Sequence, residues 1–220
     1  MGSSPTTATN GLVDQRQESF RLERKQCRFE SDPAYFHFIA KEYNLRLKVE
    51  LATKRLSEAL VFAEKRNAKA KRFGSRTYDG KNNSLEIHKI GIIAELAVAT
   101  LFKTDFDKRI FDNSGDDGTD LILPNVGICA IKATTYKDNS YLRAEVARHL
   151  DTIGVYIACY VNKLDLSDVW IVGWEYGNEV AKIKQRKLSR YCPWNYIIEE
   201  KDLRDPEELV RIVSKGQKNG

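Results

Sequence analysis

Three charged side chains stand in stretches that are otherwise apolar. Glu95 lies inside Leu85–Phe102 (LEIHKIGIIAELAVATLF), Asp120 at the mouth of Leu121-Ile122-Leu123, and Lys132 within Gly127–Tyr136 (GICAIKATTY). A strand with a buried face normally keeps charge out. Period-two alternation puts Ala130, Lys132 and Thr134 on one face, with Ile128, Ile131 and Ala133 partly towards the other. Pro124-Asn125 turns the chain between the two apolar runs, so they pair as a hairpin and bring Asp120 near the charged face. A carboxylate beside an ammonium at a sheet edge can bind a divalent cation and orient a water. Phosphodiester hydrolysis needs that combination: oxygen ligands for magnesium and a cation for the charge that develops on the phosphate. Each residue also has a plainer role. Glu95 can pair locally on a helix edge, Asp120 can close an Asx turn, and Lys132 can snorkel from the sheet. All three plain roles must hold together to remove the site.

The elements that must position these groups follow from periodicity. Asp32-Pro33 makes a good helix start, and a helical pattern runs from Pro33 towards Arg72 through Leu45, Val49, Ala52, Leu56 and Leu60. Leu45, Leu47, Val49 and Leu51 also alternate, so a short strand there stays open, with helix favoured. Phe73–Ser84 reads as a loop, Leu85–Phe102 as an apolar helix, and Asp112–Asp120 as an acidic turn. After the hairpin, Tyr141–Leu150 fits helix or strand, while Ile153–Val161 and Val169–Glu175 read as buried strands. A helix follows Asp205-Pro206. This order predicts an α/β or α+β fold with a mixed central β-sheet flanked by helices. Residues 1–80 form an N-terminal helical arm and residues 81–220 the core.

Composition narrows the class. The chain has 220 residues, 42% hydrophobic and 30% charged, which is globular. No apolar run is long enough to span a bilayer, and the polar start carries no secretion signal. Cys27, Cys129, Cys159 and Cys192 include no C-x-x-C pair and read as reduced thiols, which points to the cytoplasm. The net charge of +5 is unevenly spread: residues 1–80 hold 16 basic and 10 acidic side chains, residues 81–220 hold 20 and 21. The excess concentrates in Lys65, Arg66, Lys69, Lys71, Arg72 and Arg76, with no acid among them, and Lys182–Arg190 is a second such cluster. Either can track a phosphate backbone or form a solvated face. His37, His88 and His149 lack metal-ligand spacing, and no phosphate-binding loop, dinucleotide fingerprint or serine nucleophile elbow is present. Trp170, Trp174 and Trp194 read as core residues rather than stacking platforms.

Taken in order, Gly91–Ala97 (GIIAELA), Asp116–Leu121 (DDGTDL) and Ala130–Thr134 (AIKAT) resemble the nuclease core of the PD-(D/E)XK superfamily, particularly phage and prokaryotic members. Val169–Trp174 is similar to the strand that often closes that sheet. The resemblance covers roughly residues 85–210 and rests on order and spacing. It implies a restriction-endonuclease-like core and a magnesium- or manganese-dependent DNA nuclease of a bacterial or phage-infected cell. Cutting both strands favours a homodimer. It implies that Asp120 binds the metal with the Ile131 carbonyl, that Glu95 holds a metal-bound water or second metal, and that Lys132 steers water or stabilises charge on the phosphate. Thr134 and the first basic cluster would contact the nucleic acid. One position departs from the pattern: Ala130 stands where the family's second carboxylate belongs. An engineered substitution, a naturally inactive nucleic-acid-binding module, or migration of the acid to Glu145 each explains it. The first is favoured because every surrounding residue fits a working site.

Overall fold

The computed structural model describes residues 46–72, 84–110, 119–137, 141–145, 152–187 and 193–217, all within one compact unit, Ala40–Gly220. Several expectations lie outside the described residues. They are the helix start at Asp32-Pro33, most of the loop after Arg72 with Arg76, the acidic turn from Asp112 to Gly118, and Arg190, with His37, His149, Cys27 and Cys192.

The elements are β1 (Leu47–Glu50), α1 (Thr53–Arg72), α2 (Ser84–Leu101), β2 (Leu121–Leu123), β3 (Gly127–Thr134), β4 (Tyr141–Glu145), β5 (Val155–Val161), β6 (Asp168–Tyr176), the short α3 (Gly177–Val180), β7 (Asn195–Glu199) and α4 (Pro206–Gln217). They form a mixed α/β architecture. Five strands make one sheet in the order β1-β6-β5-β3-β2, and β4 pairs with β7 in a second, two-stranded sheet. Only β3 and β5 run parallel; the other described pairs are antiparallel. Among the described residues no helix is long and apolar enough to cross a membrane.

Two cores cover the two faces of the large sheet. On one face lie Cys129 and Ile131 of β3, Ile157 and Cys159 of β5, and the buried side of α2, with Leu209 and Val213 of α4. On the other lie Ala130, Tyr156 and Ala158, closed by Leu142 and Ala144 of β4 and Tyr196 and Ile198 of β7. Strand β5 is buried along its whole length because both faces are covered. Helix α2 is buried at every residue from Ile92 to Ala99, the pattern of a helix packed on several sides. One of those sides is α1, whose buried Ala59, Ala63 and Asn67 recur every fourth residue and give a face of small side chains.

Two expectations change here. Residues 47–50 are a strand, not helix: Leu47 pairs with Ile171 and Val49 with Val169, so the alternation prevails and the helix begins at Thr53. Ile128 shares the face of Ala130 and packs on the same core, as strict alternation along β3 requires. The hairpin forms as expected, with Asn125 at φ 63° and Gly127 at φ 78° in its turn. Gly154 permits the close approach of β5 to this hairpin. A Cβ there would sit 2.0 Å from the Val126 carbonyl oxygen, so its amide can donate to Ile128 O at 2.8 Å.

Candidate functional site

Strand β2 is three residues long and pairs only with Gly127–Cys129, so β3 runs on past its end. Asp120 finishes the pairing with its side chain. Its backbone N–H donates to Cys129 O at 3.0 Å, and its Oδ2 accepts from the Ile131 N–H at 2.5 Å. The carboxylate replaces the backbone acceptor that a longer β2 would supply, a charge-assisted bond that fixes the acid on the edge of β3. In an extended strand the N–H and C=O of one residue point the same way, so the Ile131 carbonyl faces this edge too.

Beyond that bond the edge of β3 opens into a cleft of about 600 Å³. The start of α2 borders it through Glu86, Ile90 and Gly91, and β4 through Tyr141, Arg143 and Glu145. Ala130, Lys132 and Thr134 all line it. Ala130 is buried and lies beside Tyr156 across the parallel pair, while Lys132 lies beside Ala158. Lys132, a partly buried residue, has no carboxylate partner among the described residues, whereas Lys163 in the same cleft is paired with Glu86. Burial raises the Tyr156 phenol to about 12, with Tyr196 adding to it, so it stays neutral in the cleft wall. Arg143 is held in place: its Nε donates at 3.0 Å to Oδ1 of the fully buried Asn195.

The other expected residues go elsewhere. Glu95 is 6% exposed and accepts from Arg66 Nη1 of α1 at 3.3 Å; it does not line the cleft. Arg66, expected on the nucleic acid, is thereby turned to the body, and Lys69 donates to the Ile110 carbonyl at 3.2 Å. Lys65, Lys71 and Arg72 are exposed. Asp120 borders the helix-side core: its charge adds to the burial that raises the Cys129 and Cys159 thiols to about 12. Sequence reasoning missed Arg143 and Tyr156 as cleft residues. Each sits in an apolar strand, and the signal for Arg143 was the same as for Lys132, a charge in an alternating stretch.

A divalent cation takes oxygen ligands, and Asp120 with the Ile131 carbonyl supplies donors of that kind on one edge. Ala130 supplies none, one Asp120 oxygen is already engaged, and no three His, Cys, Asp or Glu side chains converge among the described residues. Among the described residues the donors do not complete a magnesium or manganese site. Glu145, the acid to which the role could have migrated, lines the same cleft, as does Glu86. Comparison with protein-family models, curated proteins and solved structures found no match.

Proposed function

We propose that the chain is built as a metal-dependent DNA nuclease of the restriction-endonuclease-like type and lacks the carboxylate at position 130 that its chemistry requires. The observation that carries this reading is the open edge of β3. There Asp120 is fixed by the Ile131 amide while Lys132 enters the cleft with no counter-ion among the described residues. A lysine that enters a cleft without a carboxylate partner is available to an anionic ligand. A phosphodiester is such an anion, and Lys132 and Arg143 would take its charge. Thr134 Oγ1 accepts from the Tyr136 amide at 3.2 Å, which leaves its hydroxyl proton for a phosphate oxygen. A bound Mg²⁺ or Mn²⁺ would supply an activated water and charge neutralisation. As the chain stands, the cleft retains Lys132, Arg143 and Thr134 for a phosphate, beside Glu86 and Glu145.

The test is restoration. Ala130 lines the cleft, so Ala130→Glu or Ala130→Asp extends a carboxylate into it. The restored chain cleaves DNA in Mg²⁺ or Mn²⁺, the unaltered chain does not, and Lys132→Ala on the restored background lowers the rate about 10²–10³-fold. No cleavage of any DNA after restoration would sink the enzyme reading. The absent acid favours a second reading, a catalytically inactive nucleic-acid-binding module on the same scaffold, which predicts salt-sensitive binding and no cleavage in every variant.

A further inference from the structure

The second basic cluster and Trp194 take no part in the reading above. Trp194 is 51% exposed, against the expectation of a core residue, whereas Trp174 is fully buried. The Lys187 ammonium lies 5.2 Å from the centroid of the Trp194 ring. Register explains the pair. Arg186 and Asn195 exchange backbone hydrogen bonds of 2.8 and 2.9 Å, and the next step of an antiparallel pair sets residue 187 opposite residue 194. Lys182, Lys184, Arg186 and Lys187 are all exposed. Lys182 is bound to Glu179 at 2.7 Å, while Lys184 and Lys187 have no carboxylate partner among the described residues.

This surface continues the wall of the cleft. Asn195, the residue after Trp194, pairs in register with Glu145 and accepts from Arg143, and both of those line the cleft. A strand of nucleic acid lying against Lys132 and Arg143 therefore meets Trp194 at the end of that wall. An exposed indole capped by the Lys187 ammonium, on a strand with exposed Lys184 and Arg186, is a poor site for an apolar partner, which would need a contiguous apolar patch. It matches a polyanion that carries flat rings. Bases inside a duplex present no open ring face, so the indole can stack only on an unpaired one.

We infer that Trp194 and Lys187, flanked by Lys184 and Arg186, form a stacking platform for an unpaired base of single-stranded DNA that leaves the cleft. The inference rests on the nucleic-acid reading of the cleft and names its substrate class. Lys187 holds the ring face and meets the adjoining phosphate; Lys184 and Arg186 add charge along the same edge.

The experiment is fluorescence anisotropy of the full chain in EDTA, with Ala130 left in place so that binding is read apart from catalysis. The probes are labelled oligo(dT) of about 16 nucleotides and a blunt duplex of the same length. Trp194→Ala weakens oligo(dT) binding about tenfold and leaves the duplex within about twofold. Trp194→Phe recovers most of the loss, because a smaller ring still stacks. Lys187→Ala lowers the slope of log affinity against log salt by about 0.7 for the single strand. Circular dichroism confirms that the variants fold. An oligo(dT) affinity that Trp194→Ala leaves within about twofold, or a duplex affinity that falls equally, overturns the platform while DNA binding itself survives. Tighter binding of oligo(U) than of oligo(dT) overturns the assignment to DNA. Persistent binding with no cleavage after restoration at position 130 removes the enzyme reading and leaves the platform standing.

Discussion

Strand β3 presents two different surfaces. Cys129 and Ile131 face a core sealed by α2, and there the buried Glu95 is paired with Arg66. Ala130 and Lys132 open on the cleft, where Lys163 is paired with Glu86 at 2.6 Å while Lys132 has no carboxylate partner among the described residues. Paired charge inside a protein serves structure; an unpaired charge at a cleft costs stability and waits for a ligand. The contrast assigns stability to the odd-numbered residues of the strand and chemistry to the even-numbered ones.

Substitution of the two charges is the largest test of that contrast. Glu95→Ala leaves Arg66 beside an apolar helix and lowers stability by about 3 kcal/mol, read by urea unfolding. Lys132→Met keeps the stem, removes the unpaired charge and is neutral or stabilising by up to about 1 kcal/mol. A Lys132→Met variant as damaged as Glu95→Ala would erase the distinction, because it would mean that the ammonium has a structural partner.

A smaller effect comes from pH. Burial raises the Cys129 and Cys159 thiols from 9.0 and the Tyr156 phenol from 10.0, each to about 12. The folded chain keeps these protons where the unfolded chain releases them. Their contribution is therefore fully present below about pH 9 and is lost as the pH rises to 12. Melting temperature should fall steadily across that window, and Cys159→Ala should flatten the fall at its lower end. A flat profile between those limits would show that the thiols are not sealed.

The smallest effect belongs to the exposed side of α1. Replacing Lys65, Lys71 and Arg72 with Ala together changes stability by no more than about 0.5 kcal/mol per site, yet reduces the salt dependence of DNA binding by several tenths per lost phosphate contact. An unchanged salt slope would assign the phosphate contacts to the cleft and the Trp194 edge alone.

What the sequence made legible depended on how local the cause was. Helix α2 and strand β5 were visible because continuous apolar stretches can only be buried, and the β2–β3 hairpin because Pro124-Asn125 marks its turn. The candidate site was only partly legible: Asp120 and Lys132 stood out by position, but Asp120 turns to the Ile131 amide and the helix-side core while Lys132 lines the cleft. Strand β1 was obscured because Leu45–Leu51 fits both periods, and the choice is made by β6, far along the chain. The Arg66–Glu95 pair could not be read for the same reason; it joins two helices whose packing no local pattern announces. Trp194 was misread because hydrophobicity alone says nothing about which indole reaches the surface.

The two-stranded sheet that walls the cleft has a consequence for how the molecule assembles. Its strands, β4 and β7, are separated in the chain by β5, β6 and α3, so the pairing of Glu145 with Asn195 closes a long loop. Loop-closure entropy delays such contacts until the central strands have formed. The wall thus closes late, and once closed it seals the second core with Leu142 and Ala144 against Tyr196 and Ile198.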